Sequence, residues 1–311
     1  MPVVRVAAID CGTNAIRLLV ADVETDSGTL VDLDRRMEIV RLGEGVDSTG
    51  RFSEGALERT FAACGRYAEV IASLGAGPVR FVATSASRDA ANRQVFVDGV
   101  RERIGVEPEV ITGDEEARLS FVGATRGLVG GEPPYLVVDI GGGSTEFVLG
   151  AAEPEAARSV DVGCVRMTER HVRHDPPTSD EVQGIVSDVD AAISLAAQSV
   201  PLDRARTLVG LAGSVTTAAG IALGLPEYDS EAIHGSRIPA SEIARVSDEL
   251  LGLDHAARSA IGVMHPGRVD VINAGVLVLR RILDRTGLPE VLVSEHDILD
   301  GIAFGLAERA G

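Results

Sequence analysis

A strand, an aspartate, a glycine-bearing turn and a returning strand occur twice in this chain, 129 residues apart. Val6-Ala7-Ala8-Ile9-Asp10-Cys11-Gly12-Thr13-Asn14 aligns over Tyr135-Leu136-Val137-Val138-Asp139-Ile140-Gly141-Gly142-Gly143, and apolar strands follow at Leu18-Leu19-Val20 and Phe147-Val148-Leu149. A chain of 311 residues is about twice the length of a usual domain. The repeat therefore divides it into two similar α/β domains, expected to face each other across a central cleft. Their boundary is expected near Arg126 to Pro134, where Gly127, Gly130, Gly131, Pro133 and Pro134 cluster. This gives domains at 1–125 and 126–311, with the last helix, about 297–311, left open to pack back on the first.

Periodicity supports mixed α/β architecture. Strands are expected at 4–9, 17–23, 79–84, 110–111, 136–140, 145–149, 207–211 and 290–293. Helices are expected at 52–74, 85–104, 114–123, 179–199, 215–223, 241–251, 269–285 and 297–309. Thr207 to Pro226 carries no charge over a span close to a bilayer crossing, but its glycines break the apolar run. It reads as a buried strand, a glycine turn and a small-residue helix.

The charge balance is 29 basic against 47 acidic residues, net −18, and every basic residue is arginine. Without lysine the chain has no Walker-type phosphate loop and no Schiff-base chemistry. Acidity and few aromatics argue against DNA or RNA as a partner, because nucleic-acid binding rests on phosphate neutralisation and base stacking. Cys11, Cys64 and Cys164 are widely spaced, which fits reduced thiols in a cytoplasm. Neither a secretory signal nor a membrane segment is expected.

The two turns are the first candidates for chemistry. Tight turns at Gly12-Thr13-Asn14 and Gly141-Gly142-Gly143-Ser144 call for residues tolerant of positive φ, and their amides then form a concavity suited to an anion. One such turn alone reads as an ordinary hairpin; two, one with three successive glycines, favour phosphate. Asp10 and Asp139 beside them are hard oxygen donors for Mg²⁺ or Mn²⁺. In Thr112-Gly113-Asp114-Glu115-Glu116, a capping box accounts for Glu115 and leaves Glu116 as the candidate general base. Ser85 is expected to cap a helix, and Arg88 in its first turn makes sense before an anion or in a surface contact with Asp89 or Asn92. Gly213-Ser214 is a further strand–helix junction that offers a phosphate contact or an ordinary corner. His171 and His174 read as a solvated loop end.

Four stretches taken together, Ala8 to Asn14, Ala83 to Arg88, Ile111 to Arg118 and Val138 to Ser144, resemble the exopolyphosphatase/guanosine pentaphosphate phosphatase family in order and spacing. The likeness extends to Ala212-Gly213-Ser214 and Pro266-Gly267-Arg268-Val269-Asp270. It implies two ribonuclease-H-like domains of the actin-like superfamily and divalent-metal-dependent hydrolysis of terminal phosphate from inorganic polyphosphate. By the same resemblance Glu116 is the base, Asp10 and Asp139 are metal carboxylates, and Gly12 to Asn14, Arg88 and Gly141 to Ser144 are phosphate contacts. Longer members carry extra helical domains; the end at Gly311 and the acidity lead us to expect a preference for short polyphosphate.

Guanosine pentaphosphate 5′-phosphohydrolase activity is the nearest alternative, with (p)ppGpp as substrate or inhibitor. A non-catalytic nucleotide sensor or actin-like assembly protein is the alternative of another class. Against a sugar or acetate kinase speaks the Thr112 to Arg118 motif. The sequence is compatible with a homodimer and does not disclose its assembly state.

Overall fold

The computed structural model describes residues 3–310. The chain separates into two compact units, residues 1–123 with 297–311, and residues 124–296. In the first unit the order is β1 (Val3–Cys11), β2 (Ala15–Glu24), β3 (Leu30–Ile39), α1 (Val46–Thr49), α2 (Glu54–Leu74), β4 (Val79–Ala83), α3 (Ser85–Asp89), α4 (Arg93–Ile104), β5 (Glu109–Val110) and α5 (Gly113–Thr125). The second unit runs β6 (Tyr135–Ile140), β7 (Thr145–Gly150), β8 (Pro154–Val160), α6 (Cys164–His171), α7 (Ser179–Ala196), β9 (Thr207–Leu211), α8 (Ala212–Ala222), α9 (Ser230–Ile233), β10 (Arg237–Pro239), α10 (Ala240–Gly252), α11 (His255–Ser259), α12 (Ile272–Thr286) and β11 (Glu290–Val293). The final helix, α13 (Ile298–Ala310), belongs to the first unit.

The two sheets repeat one topology. The first has strand order β3-β2-β1-β4-β5; the second has β8-β7-β6-β9-β11 in the same relation, extended by β10. In both, the first strand of the repeat pairs antiparallel with its returning neighbour and parallel with the strand on its other side.

Alternation along β1 explains why the first sheet is covered on both faces. Ala7, Ile9 and Cys11 enter a core with Tyr67 of α2 and Phe96 of α4, while Val6 and Ala8 enter one with Ile302 and Ala303 of α13. A single strand can serve two cores only if it is apolar on both sides, which is what its sequence shows. The second unit buries one large cluster, in which Leu136, Val138 and Ile140 of β6 meet α7, α10 and α12.

Several expectations need correction. Residues 85–104 form two helices, because Asn92 leaves the helical path to bond the Phe52 amide at 2.8 Å and carbonyl at 3.0 Å. Helix α8 begins directly after β9 at Ala212 with φ 67°, so no separate glycine turn precedes it. Helix α12 starts at Ile272, after a short 3₁₀ turn at Pro266–Arg268. Strand β3 escaped notice because Asp32, Asp34, Arg35, Arg36 and Glu38 erase any apolar alternation; it exists through its ladder with β2. Strands β8 and β10 were likewise unforeseen. Among the described residues no helix is long and apolar enough to cross a membrane.

Candidate active site

Parallel pairing in the first unit brings three chain segments to one sheet edge. Cys11 is in register with Ala83 and Ala83 with Val110, so the β1–β2 turn, the start of α3 and the start of α5 leave from adjacent strand ends. Carboxyl ends of parallel strands are the usual ligand position in such sheets.

Both repeat turns close with the same hydrogen bond: Gly12 N donates to Ala15 O at 2.9 Å, and Gly141 N to Ser144 O at 3.0 Å. Their carbonyls are then drawn away by a following segment. In the first turn Thr13 O accepts from Gly43 N at 2.8 Å and Asn14 O from Arg41 N at 2.8 Å. In the second, Gly141 O accepts from Cys164 N at 3.0 Å, Gly142 O from Val165 N at 2.9 Å, and Gly143 O from Arg166 Nε at 2.7 Å. The amides of Thr13, Asn14, Gly142 and Gly143 have no acceptor among the described residues. Amides grouped in this way, their carbonyls already committed, form an anion cradle.

The glycines serve packing rather than unusual dihedrals. None of Gly12, Thr13, Asn14 or Gly141 to Gly143 has positive φ, contrary to the expectation from turn chemistry. Close approach accounts for two glycines that face the turns from other segments: a Cβ on Gly163 would lie 2.5 Å from the Gly142 carbonyl carbon, and one on Gly43 would lie 2.2 Å from Thr13 Cγ2. Sequence reasoning missed both glycines; their signal is small residues opposite a tight turn.

The aspartates stand in unlike surroundings although their frames are duplicated. Asp10 pairs in register with Arg17, which donates to Asp10 Oδ2 from Nε at 3.1 Å and from Nη2 at 2.5 Å. Arg17 Nη1 bonds Asp297 Oδ2 as well. Burial, opposed by Arg17, pushes the Asp10 carboxyl above its ordinary value. Its Oδ1 is buried and has no hydrogen-bond partner. The residue that answers Arg17 in the second copy is Glu146, in register with Asp139; both carboxylates are buried and leave the same face. Glu146 accepts from Ser159 Oγ at 2.7 Å.

Each unit offers its own hard oxygen donors of the kind a divalent ion takes: an orphaned oxygen on Asp10 in the first, and the cross-strand acid pair Asp139 and Glu146 in the second. Such an ion takes one or two carboxylates and completes its shell with water and substrate oxygens. No group of three or more metal-ligating side chains occurs among the described residues.

Glu116 sits in the first turn of α5, buried, and its Oε2 accepts from Arg88 Nη1 at 2.8 Å. Arg88 is also anchored to the Ile111 carbonyl at 3.1 Å, so the helix contacts with Asp89 or Asn92 do not describe it. The expected capping box is only half formed: the Glu115 amide donates to Thr112 Oγ1 at 3.2 Å, but the Glu115 carboxylate accepts from Arg80 at 2.8 Å rather than from the Thr112 amide. Ser85 is the first residue of α3 and not its cap, which falls at Thr84 without a side-chain bond.

In the second unit Gly213 and Ser214 lie in the first turn of α8. A Cβ on Gly213 would lie 2.1 Å from Arg268 Cζ, and Arg268 Nη1 donates to Gly213 O at 3.3 Å and Thr217 Oγ1 at 3.2 Å. Arg17, Glu146, Arg166 and Asp297 were not foreseen as parts of the site, and Arg268 was seen only as part of the family likeness: Arg17 and Glu146 depend on strand register with Asp10 and Asp139, and the others on partners more distant in sequence. His171 and His174 bond Asp188 and Glu181, each at 2.9 Å.

Amides without acceptors among the described residues, beside buried acids and repeated on two sheets of one topology, define an actin-like α/β fold with a candidate anion site at the turn of each sheet. The sequence model of the Ppx/GppA phosphatase family matches residues 19–310, and the chain belongs to that family. "Exopolyphosphatase 2" of Mycobacterium tuberculosis is 49% identical, covering 99% of this chain and 100% of its own. A crystal structure described as an exopolyphosphatase-like protein is 41% identical, with TM-score 0.95, over 99% of this chain and 100% of that one. A guanosine-5′-triphosphate,3′-diphosphate pyrophosphatase of Photobacterium profundum is 26% identical over 97% of this chain and 59% of its own length.

Proposed function

We propose that this chain is an exopolyphosphatase that removes the terminal phosphate of inorganic polyphosphate with Glu116 as general base. The observation that carries the reading is the buried Glu116 carboxylate oriented by Arg88 at 2.8 Å, on the same sheet edge as the open amides of Thr13 and Asn14. Glu116 takes a proton from a water whose oxygen attacks the terminal phosphorus. The new P–O bond forms as the bridging P–O bond breaks, and the electron pair leaves on the shortened polyphosphate. Arg88 and the open amides of Thr13 and Asn14 would hold the transferred phosphoryl oxygens, where charge is spread in the transition state; the Gly12 amide is taken up by Ala15 O, so Gly12 would serve by leaving room for the phosphate. Gly141 to Ser144, Gly213 and Ser214 are assigned as further phosphate contacts.

Asp10, and Asp139 together with Glu146, are the residues that would hold Mg²⁺ or Mn²⁺. When bound, the ion neutralises phosphate charge. A net charge of −18 provides little for a long basic channel, which supports a preference for short chains.

Phosphate release from short and long polyphosphate at matched chain ends tests the reading. Wild type should act faster on the short polymer, and Glu116→Gln, which keeps shape but not basicity, should release phosphate about 10²–10⁴-fold more slowly. Wild-type turnover by Glu116→Gln would overturn the assignment of the base.

A further inference from the structure

We propose that Asp297 is a positioning residue which, through Arg17, keeps the turn bearing Asp10 in register with the helix bearing Glu116. The inference rests on the reading of that turn and helix as reaction machinery.

Asp297 lies just before α13 and is buried. Its Oδ1 accepts from Leu299 N at 3.0 Å, and Asp300 Oδ2 accepts from Asp297 N at 2.9 Å, so the two acids cap the helix reciprocally. Asparagine caps a helix as well as aspartate does. The cap therefore gives no reason for a second buried charge next to Asp10, and burying charge is costly.

That charge has another task. Asp297 Oδ2 receives Arg17 Nη1, while the opposite edge of the same guanidinium, Nε and Nη2, holds Asp10 Oδ2. One planar fork thus fixes the start of α13 to the β1–β2 turn.

The helix bearing Glu116 is fixed to the same point by its backbone. A Cβ on Gly123 would lie 1.8 Å from Asp297 O, and one on Gly301 would lie 2.1 Å from Leu119 O. Helices α5 and α13 therefore meet main chain to main chain. Leu119 and Gly123 stand three and seven residues after Glu116, along one stripe of α5. Backbone atoms at such a crossing cannot yield as flexible side chains do, so the position of Asp297 is transmitted to α5 with little slack. Arg35 reinforces the anchor from β3, donating to Asp300 Oδ1 at 2.7 Å.

The test is a double-mutant cycle on phosphate release from polyphosphate, with thermal unfolding of every variant. Asp297→Asn keeps the cap and removes the charge; it should lower kcat about tenfold, leave KM within about twofold, and unfold cooperatively near the wild-type temperature. In an Arg17→Met background the same substitution should change kcat by less than about twofold, because the connection is already cut. A kcat for Asp297→Asn within twofold of wild type, or an equal loss in both backgrounds, overturns the proposal. Should Asp297→Asn fail to fold, Asp297→Ser, another good cap, replaces it in the cycle. Glu116→Gln run alongside separates the two readings: if it keeps full activity the hydrolase site itself is misassigned, whereas an inactive Glu116→Gln with an additive cycle removes only the role of Asp297.

Discussion

Arg88 donates from a single nitrogen, Nη1, to the Glu116 carboxylate at 2.8 Å and to the Ile111 carbonyl at 3.1 Å. The cation is thereby tied to the main chain at the end of β5, and the acid on the next helix is oriented by a fixed group. On the proposed reading, a substrate phosphate bound by the same guanidinium would meet Glu116 at a defined place.

Removing that guanidinium should cost activity without abolishing the fold. Arg88→Met is expected to reduce phosphate release at least tenfold, less than the loss of about 10²–10⁴ for Glu116→Gln, with both variants retaining wild-type circular dichroism. An Arg88→Met enzyme at full activity would show that Glu116 needs no orientation.

Two glycines beside the cradles should respond oppositely to alanine. In Gly163→Ala the new methyl falls 2.5 Å from Gly142 backbone, so the second turn must move, at a cost of about 1–3 kcal/mol. In Gly12→Ala the nearest atom is Ala15 O at 3.6 Å and φ is ordinary, so thermal stability should stay within about 0.5 kcal/mol of wild type. Equal melting temperatures for the two would refute the packing account.

All three thiols should be inert in the native enzyme. Burial is the leading cause that raises Cys11 and Cys164 and pushes Cys64 up to about 12. A chromogenic disulfide at pH 8 should label none within minutes and all three after denaturation. Rapid native labelling of Cys11 would reopen it as a nucleophile.

Acid should loosen the start of α7. Glu181 accepts from Thr178 N, His174 Nδ1 and Arg173 N, and these bonds, Thr178 foremost, bring its carboxyl down to about 2. Because the folded value lies below the ordinary value of about 4.3, the contribution is complete above roughly pH 5. It is lost as pH falls through about 2. The melting temperature of Glu181→Gln should trail wild type at pH 7 and converge with it near pH 2. A gap that does not change with pH would contradict this.

The sequence by itself determined the doubled frame. Apolar β-branched runs ending in Asp10 and Asp139, each followed by a glycine-bearing turn and a returning strand, admit few alternatives to two sheets of one topology, because strand patterning is local and periodic. It also singled out Glu116 as a candidate base on the expectation that a capping box occupies Glu115, but the Glu115 carboxylate goes to Arg80 instead, and what distinguishes Glu116 is its burial and its bond to Arg88. Only the tertiary structure decided the electrostatics. That Arg17 compensates part of the Asp10 charge, that Glu146 occupies the equivalent place beside Asp139, and that Asp297 joins the first turn all depend on register and on helix α13 returning to the first sheet. The same limit applied to the glycines: their identity was visible, but whether each served a dihedral or a close approach depended on atoms that arrive from elsewhere in the chain. Charge pairing and backbone contact act through space over a few ångströms, and sequence separation carries no measure of that distance.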